Sequence, residues 1–153
     1  MNGAAVAGGA GLVTVCDFAL AVPTAKFGYP EVRRGLVAAI VMPHLLRHVG
    51  ERAARWFLLT GDLCEATEAQ RVGLINQVVA PEKLLETALA WAKACAEGGP
   101  LALAETKRLL QKFSQQALGV TEAAQASAAP RLGEECRAGL TAFFEKKPVP
   151  WTT

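Results

Sequence analysis

No stretch of the 153-residue chain reaches the roughly 18 apolar residues that suggest a membrane-spanning helix. Long runs of like charge are also missing, and the formal net charge is only +2. A general nucleic-acid binder needs a basic stripe to neutralise phosphates, so that class is excluded. The start, Met1-Asn2-Gly3-Ala4-Ala5-Val6-Ala7-Gly8-Gly9, lacks the positive n-region of a signal peptide. These absences make a soluble, cytoplasmic protein with no nucleic-acid or membrane partner the expectation. Cys16, Cys64, Cys95 and Cys136 stand far apart and form no C-x-x-C pair. Buried, reduced thiols are therefore expected. His44 and His48 lie four apart on one helical face, but no H-E-x-x-H surrounds them and no third ligand stands nearby. No metal is expected. Ser114 and Ser127 lie in helical tracts without a nucleophile elbow, which argues against Ser/His/Asp chemistry.

What is present is core-forming material: 52% of residues are hydrophobic and 20% charged, a balance that excludes disorder and suits one ordinary domain. Residues 2–36 are rich in glycine and small apolar residues with short β-type runs. From Val37 onward helical patterns dominate, without a linker or an internal repeat. Residues 12–16 are apolar all round, so helix and strand are both open, although the glycines ahead of them favour a helix. Residues 17–22 alternate as a strand closed by Pro23, and residues 25–28 read as a second extended piece. Tyr29-Pro30-Glu31 reads as a turn, because Pro30 biases Tyr29 away from helix. Helices are predicted over 37–49, with Pro43 starting, kinking or interrupting it, and over 51–59, ended by Gly61. A short helical turn over 67–71 and a strand over 74–79 follow. Further helices are predicted over 81–97, 100–116, 121–129 and 132–146. The pattern is α/β, with helices that cover a site or pack on a partner.

Gly8, Gly9 and Gly11 make neither G-x-G-x-x-G nor a P-loop. The cluster suits tight packing, or an oxyanion site in which a glycine N–H at a helix start donates to a developing negative oxygen. Glu31 follows an apolar, tightly punctuated strand and turn. It is either a solvated turn residue or a carboxylate aimed into a cavity, where burial suits it to proton transfer. Positive charge is scattered, but Lys146 and Lys147 close an apolar helix through Phe143 and Phe144. An aromatic wall with a cationic rim suits a phosphate-bearing ligand with an apolar tail, and equally suits plain helix docking.

Taken in order, Asn2-Gly3-Ala4-Ala5-Val6-Ala7-Gly8-Gly9-Ala10-Gly11-Leu12, Cys16-Asp17, Ala25-Lys26-Phe27-Gly28-Tyr29-Pro30-Glu31 and Gly35 resemble the central signature of enoyl-CoA hydratase/isomerase proteins. Leu59-Thr60-Gly61, Ala66-Thr67-Glu68-Ala69, Gly73-Leu74-Ile75-Asn76-Gln77-Val78-Val79 and Ala142-Phe143-Phe144-Glu145-Lys146-Lys147 continue it in the family's order. The resemblance implies a crotonase-like (ClpP/crotonase) ββα spiral, truncated at its N-terminus, over residues 1–80. Residues 81–153 become a helical C-terminal region that covers the site and mediates trimer or hexamer formation. It implies an acyl-CoA thioester as substrate and no separate cofactor. Glu31 becomes the acid/base and the Gly8 N–H an oxyanion donor. Gly9, Gly11, Phe27, Pro30, Phe143 and Lys146 become substrate-binding positions.

Two departures qualify this resemblance. The family normally carries a further N-terminal segment that supplies most of the spiral and a second oxyanion donor. Its hydratases also hold water between two glutamates, of which the later falls on Glu31 and the earlier on Gly11, which has no side chain. Hydration of a 2-enoyl-CoA is the first expectation. Double-bond migration by a single glutamate is the alternative, and a non-catalytic fragment or assembly subunit is a third. The isolated chain is expected to be inactive.

Overall fold

The structure, a computed structural model, describes residues 1–34, 36–114, 132–148 and 150–151. It divides into two compact units, Met1–Ala88 and Leu89–Thr153. The boundary between these compact units lies inside the helix Leu84–Ala96.

In the first unit, β1 (Ala5–Val6) runs into α1 (Gly8–Thr14), and β2 (Leu20–Ala21) and β3 (Lys26–Gly28) follow. β3 pairs parallel with β1 and antiparallel with β4 (Leu63–Glu65), giving the order β1-β3-β4. β2 pairs parallel with β5 (Gln77–Val78). Parallel neighbours need a crossover, and α1 lies within the one between β1 and β3. Small residues let it pack closely: Ala5 and Ala10 are buried, and Gly11 presents no side chain. Phe27 and Tyr29, two apart and so on one face of an extended chain, are wholly buried. They meet the inward stripe of α2 (Met42–Thr60), formed by Leu45, Ala54 and Phe57. The Tyr29 and Phe57 rings pack edge to face with centroids 6.1 Å apart.

Several boundaries differ from the expectations, each for a local reason. Residues 12–16 resolve as helix through Thr14. The expected strand over 17–22 shrinks to Leu20–Ala21, with Asp17 and Phe18 exposed. Residues 37–41 are not helical: Pro43 occupies the first turn of α2, where no intrahelical N–H is required, and fixes the start at Met42. The break between the two expected helices is Gly50, at φ 70° and ψ 170°. Gly61, at φ 64°, ends α2 by donating its N–H to the Phe57 carbonyl (3.1 Å). β4 was not expected; three residues with one buried position between two exposed ones carry too little pattern. Residues 74–79 give only the two-residue β5, because Leu74 and Ile75 turn into the core, their amides bonded to the Ala69 carbonyl. Residues 67–71 form most of α3 (Ala66–Arg71).

The cysteines also depart from expectation. Cys64 is buried, but Cys95 and Cys136 are half-buried and Cys16 is exposed; all four are free. Burial, and then the Glu68 charge, push the Cys64 thiol from 9.0 up to about 11. The folded state thus holds that proton more tightly than the unfolded chain does. The contribution is complete below pH 9 and is lost as pH rises toward 11. Stability from urea unfolding is expected to fall across that window, less steeply in Cys64→Ala. A wild-type profile flat across the window would contradict it.

Pro81–Lys83 is a single 3-10 turn leading into α4 (Leu84–Ala96), within which the two units meet in sequence. The second unit contains α5 (Pro100–Phe113) and α6 (Glu134–Glu145). The expected helix over 121–129 lies outside the described residues, as does the end of the one over 100–116. α5 has no side-chain cap of its own. Glu135 of α6 supplies it, accepting from the Leu101 and Ala102 amides at 2.7 and 2.6 Å. A carboxylate on a helix N-terminus satisfies orphan donors and opposes the helix dipole. Glu135→Ala should lower stability by about 1 kcal/mol in denaturant unfolding. No change would mean water replaces the cap at no cost. No described helix is long and apolar enough to cross a membrane.

Candidate active site

The junction of β1 and α1 is one residue long. Ala7 makes it at φ 54° and ψ −125°, a conformation that costs a non-glycine residue energy and persists only where neighbours enforce it. The enforcement is visible: the Ala7 N–H donates to the Gly28 carbonyl (2.9 Å), and the Ala7 carbonyl accepts from the Gly11 N–H (3.0 Å). The chain therefore turns sharply from strand to helix, and Gly8 and Gly9 open α1 with N–H groups that have no carbonyl four residues back. Both glycines are exposed, and a Cβ on either would meet nothing within 4 Å. The backbone at this helix start is open to a ligand.

β3 leaves the sheet beside it. Val6 stands opposite Gly28, so Gly8 and Pro30 each lie two residues beyond the last parallel pair, at the same edge. In α/β folds, ligands gather at the carboxyl ends of parallel strands. The chain then enters a 3-10 turn, Pro30–Arg34, whose second residue is Glu31. The turn is anchored: Arg33 donates to the Thr60 carbonyl (2.9 Å) and pairs with Asp62, and the Leu36 N–H donates to the Glu31 carbonyl (3.0 Å). A cleft of about 360 Å³ lined by Val6, Pro30, Arg33, Arg34, Gly61 and Leu63 runs past it.

Glu31 itself is half-buried. Its Oε2 is buried and takes no hydrogen bond among the described residues; the Tyr29 hydroxyl, two residues earlier, is in the same condition. Burial, and secondarily the Glu31 charge, raise the pKa of the Tyr29 phenol well above its usual 10.0. Tyr29 is thus protonated at neutral pH, with an O–H to donate. Buried polar groups without partners are uncommon, and two within three residues mark a place organised for something besides packing.

Gly11 is buried beneath α2. A Cβ there would lie 2.4 Å from Cγ1 of Val41, so Val41 occupies the space a side chain at position 11 would take. Of the other residues singled out in sequence, Pro30 lines the cleft. Phe27 belongs to the core, with no exposed surface to meet a ligand. Lys146 is exposed in the second unit, at φ 54° where α6 ends; Phe143 lies in α6, its side chain outside the description. His48 is structural, its Nε2 2.9 Å from the Thr14 carbonyl. The described residues contain no cluster of three or more metal-ligating side chains. Sequence reasoning missed Ala7, Tyr29 and Val41. Only Tyr29 carried a signal: a polar-tipped aromatic in an otherwise apolar extended run.

Comparison with known proteins agrees with this geometry. The enoyl-CoA hydratase/isomerase family model matches residues 1–153. A Thermus thermophilus protein provisionally named an enoyl-CoA hydratase is 46% identical over 150 residues, covering 97% of this chain and 59% of that protein. The crotonyl-CoA hydratase of Syntrophomonas wolfei is 35% identical, with 96% of this chain and 58% of that protein covered. The crystal structure of an enoyl-CoA hydratase from Shewanella pealeana superposes with a TM-score of 0.91 at 32% identity, covering 97% of this chain and 57% of that one. The chain thus spans somewhat less than three-fifths of the length of these relatives. Its fold is the crotonase fold, present in part, and the chain belongs to the enoyl-CoA hydratase/isomerase family.

Proposed function

We propose that this chain carries the proton-transferring part of an acyl-CoA active site, and that hydration of a 2-enoyl-CoA thioester is the reaction. The observation that carries the reading is Glu31: a carboxylate with one buried, unpartnered oxygen, at the strand edge where the open Gly8 backbone also emerges. The Gly8 N–H stabilises negative charge on the thioester oxygen as the enolate develops. Each such donor typically contributes about 2.7–4 kcal/mol to the transition state. As water adds at the β-carbon, Glu31 moves the proton that the addition requires at the α-carbon. Relatives named as hydratases support this order of preference. The family resemblance implies a second oxyanion donor from outside this chain. Assembly as a trimer or hexamer is part of the same reading.

A second reading has its own observation. Val41 fills the space above Gly11, so no second carboxylate faces Glu31 from that position. One carboxylate suffices to take a proton from one carbon and return it two bonds away, which is isomerisation of a 3-enoyl-CoA. The test is spectroscopic, on the 153-residue chain and on a protein in which it is joined to the unmatched part of the Thermus relative. Loss of the conjugated-thioester absorbance from crotonyl-CoA supports hydration; its appearance from a 3-enoyl-CoA supports isomerisation. Neither change, in a folded joined protein, would remove both readings.

A further inference from the structure

We propose that Tyr29 is a positioning residue for Glu31, its phenol and the Glu31 Oε2 being the two fixed partners of a single buried water. Three observations converge on this. The side chain of Tyr29 is wholly buried, held edge to face by Phe57, so its hydroxyl has little freedom to seek solvent. That hydroxyl and Glu31 Oε2 are the two buried side-chain polar atoms left without a partner among the described residues. They belong to residues separated only by Pro30, whose fixed φ limits how the two can move apart. The basic group nearest in sequence, Arg33, is committed to Asp62 and the Thr60 carbonyl, so it does not complete the pair.

The chemistry of the two atoms is complementary. A phenol offers one O–H and a carboxylate only lone pairs. A buried water needs two or more polar partners, and here it would accept from Tyr29 and donate to Oε2. This arrangement fixes the carboxylate by one oxygen and leaves Oε1 to exchange a proton with substrate. A tyrosine that merely filled the core would need no hydroxyl, and phenylalanine would serve as well beside Phe57.

The proposal builds on Glu31 as the acid/base, but its test needs no turnover. Tyr29 is the one tyrosine in the sequence, so tyrosine-specific spectra report it alone. The Fermi doublet of its ring in ultraviolet resonance Raman distinguishes, by intensity ratio, a phenol that donates from one that does not. The 153-residue chain should show a donating phenol, and Glu31→Leu should shift the ratio toward the non-donating limit. An unchanged ratio would overturn the proposal whether or not Glu31 proves catalytic. Should Glu31→Leu fail to fold, a high-resolution crystal structure of the unaltered chain decides. A water within hydrogen-bonding distance of both the Tyr29 hydroxyl and Glu31 Oε2 supports it, and direct contact of both atoms with apolar groups alone overturns it. Inactive Glu31→Gln alongside an unchanged ratio in Glu31→Leu would sink this proposal and leave the functional reading standing.

Discussion

Glu31→Gln should lower acyl-CoA turnover by about 10²–10⁴-fold, the usual contribution of a positioned general acid/base. The substitution keeps the side chain's length and planarity and removes only its capacity to exchange a proton. Because Glu31 is half-buried and its Oε2 makes no hydrogen bond to the described protein groups, the amide breaks no visible ion pair and leaves the core alone. The turn is held by Arg33 with Asp62 and the Thr60 carbonyl, and by the Leu36 amide on the Glu31 backbone, none of which uses the carboxylate. A urea transition coincident with wild type, alongside the lost rate, is therefore the expected pair of results. Rates followed at the conjugated-thioester band, in the protein joined to the unmatched Thermus segment, supply the measurement. Intact hydration and intact isomerisation in Glu31→Gln would both have to be explained by another base, and the role given to Glu31 would be withdrawn.

That candidate was legible because punctuation, more than periodicity, marks this part of the chain. Pro30 after an apolar extended run fixes where β3 ends and hence where Glu31 emerges. Gly61 at positive φ fixes the end of α2 in the same way. Elsewhere the local signal was weak or misleading. β4 is three residues, exposed, buried and exposed in turn, and its identity comes from pairing with β3 across more than thirty intervening residues. Leu74 and Ile75 are β-type in composition, yet Gly73, at φ 84°, turns them into the core ahead of the strand. The site was half legible for a related reason. Glu31 and Gly8 announce themselves by type, whereas Ala7, Tyr29 and Val41 matter through conformation or neighbours that no residue name encodes.

Position 11 shows what the two kinds of information add to each other. The sequence places glycine where a second carboxylate would be needed for water to be held between two. The structure adds that the space is not simply free: a side chain there meets Val41 Cγ1 at 2.4 Å. Val41 is partly buried and packed on the core, immediately ahead of the first turn of α2. Gly11→Glu alone thus forces Val41 aside at a cost in packing, which a smaller residue at position 41 would relieve. Under the proposed function, the preference between hydration and isomerisation then depends on the pair, not on Gly11 by itself.

Gly8→Pro separates the proposed oxyanion donor from everything else at this edge. Proline removes the Gly8 N–H; Gly8 is the first residue of α1, where proline is well tolerated, and a Cβ there meets nothing within 4 Å. The preceding Ala7, at φ 54° and ψ −125°, lies outside the extended region that a following proline favours, so urea unfolding of Gly8→Pro must accompany the rates. The hydrogen bonds that fix the junction, Ala7 to Gly28 and Gly11 to Ala7, do not involve the Gly8 amide. Some stability is lost to added strain at Ala7, while turnover of the folded protein falls by about 10²–10³-fold, the loss typical of one oxyanion-hole donor. Gly9→Ala is the matched control: it adds a methyl group in equally open space and keeps its N–H, so its rate should stay near wild type. With Gly8→Pro the fall should reside in kcat, because the donor acts on charge that develops only as the enolate forms. A fall confined to KM would instead assign the Gly8 amide to ground-state binding, and a fully active Gly8→Pro would remove it from the site.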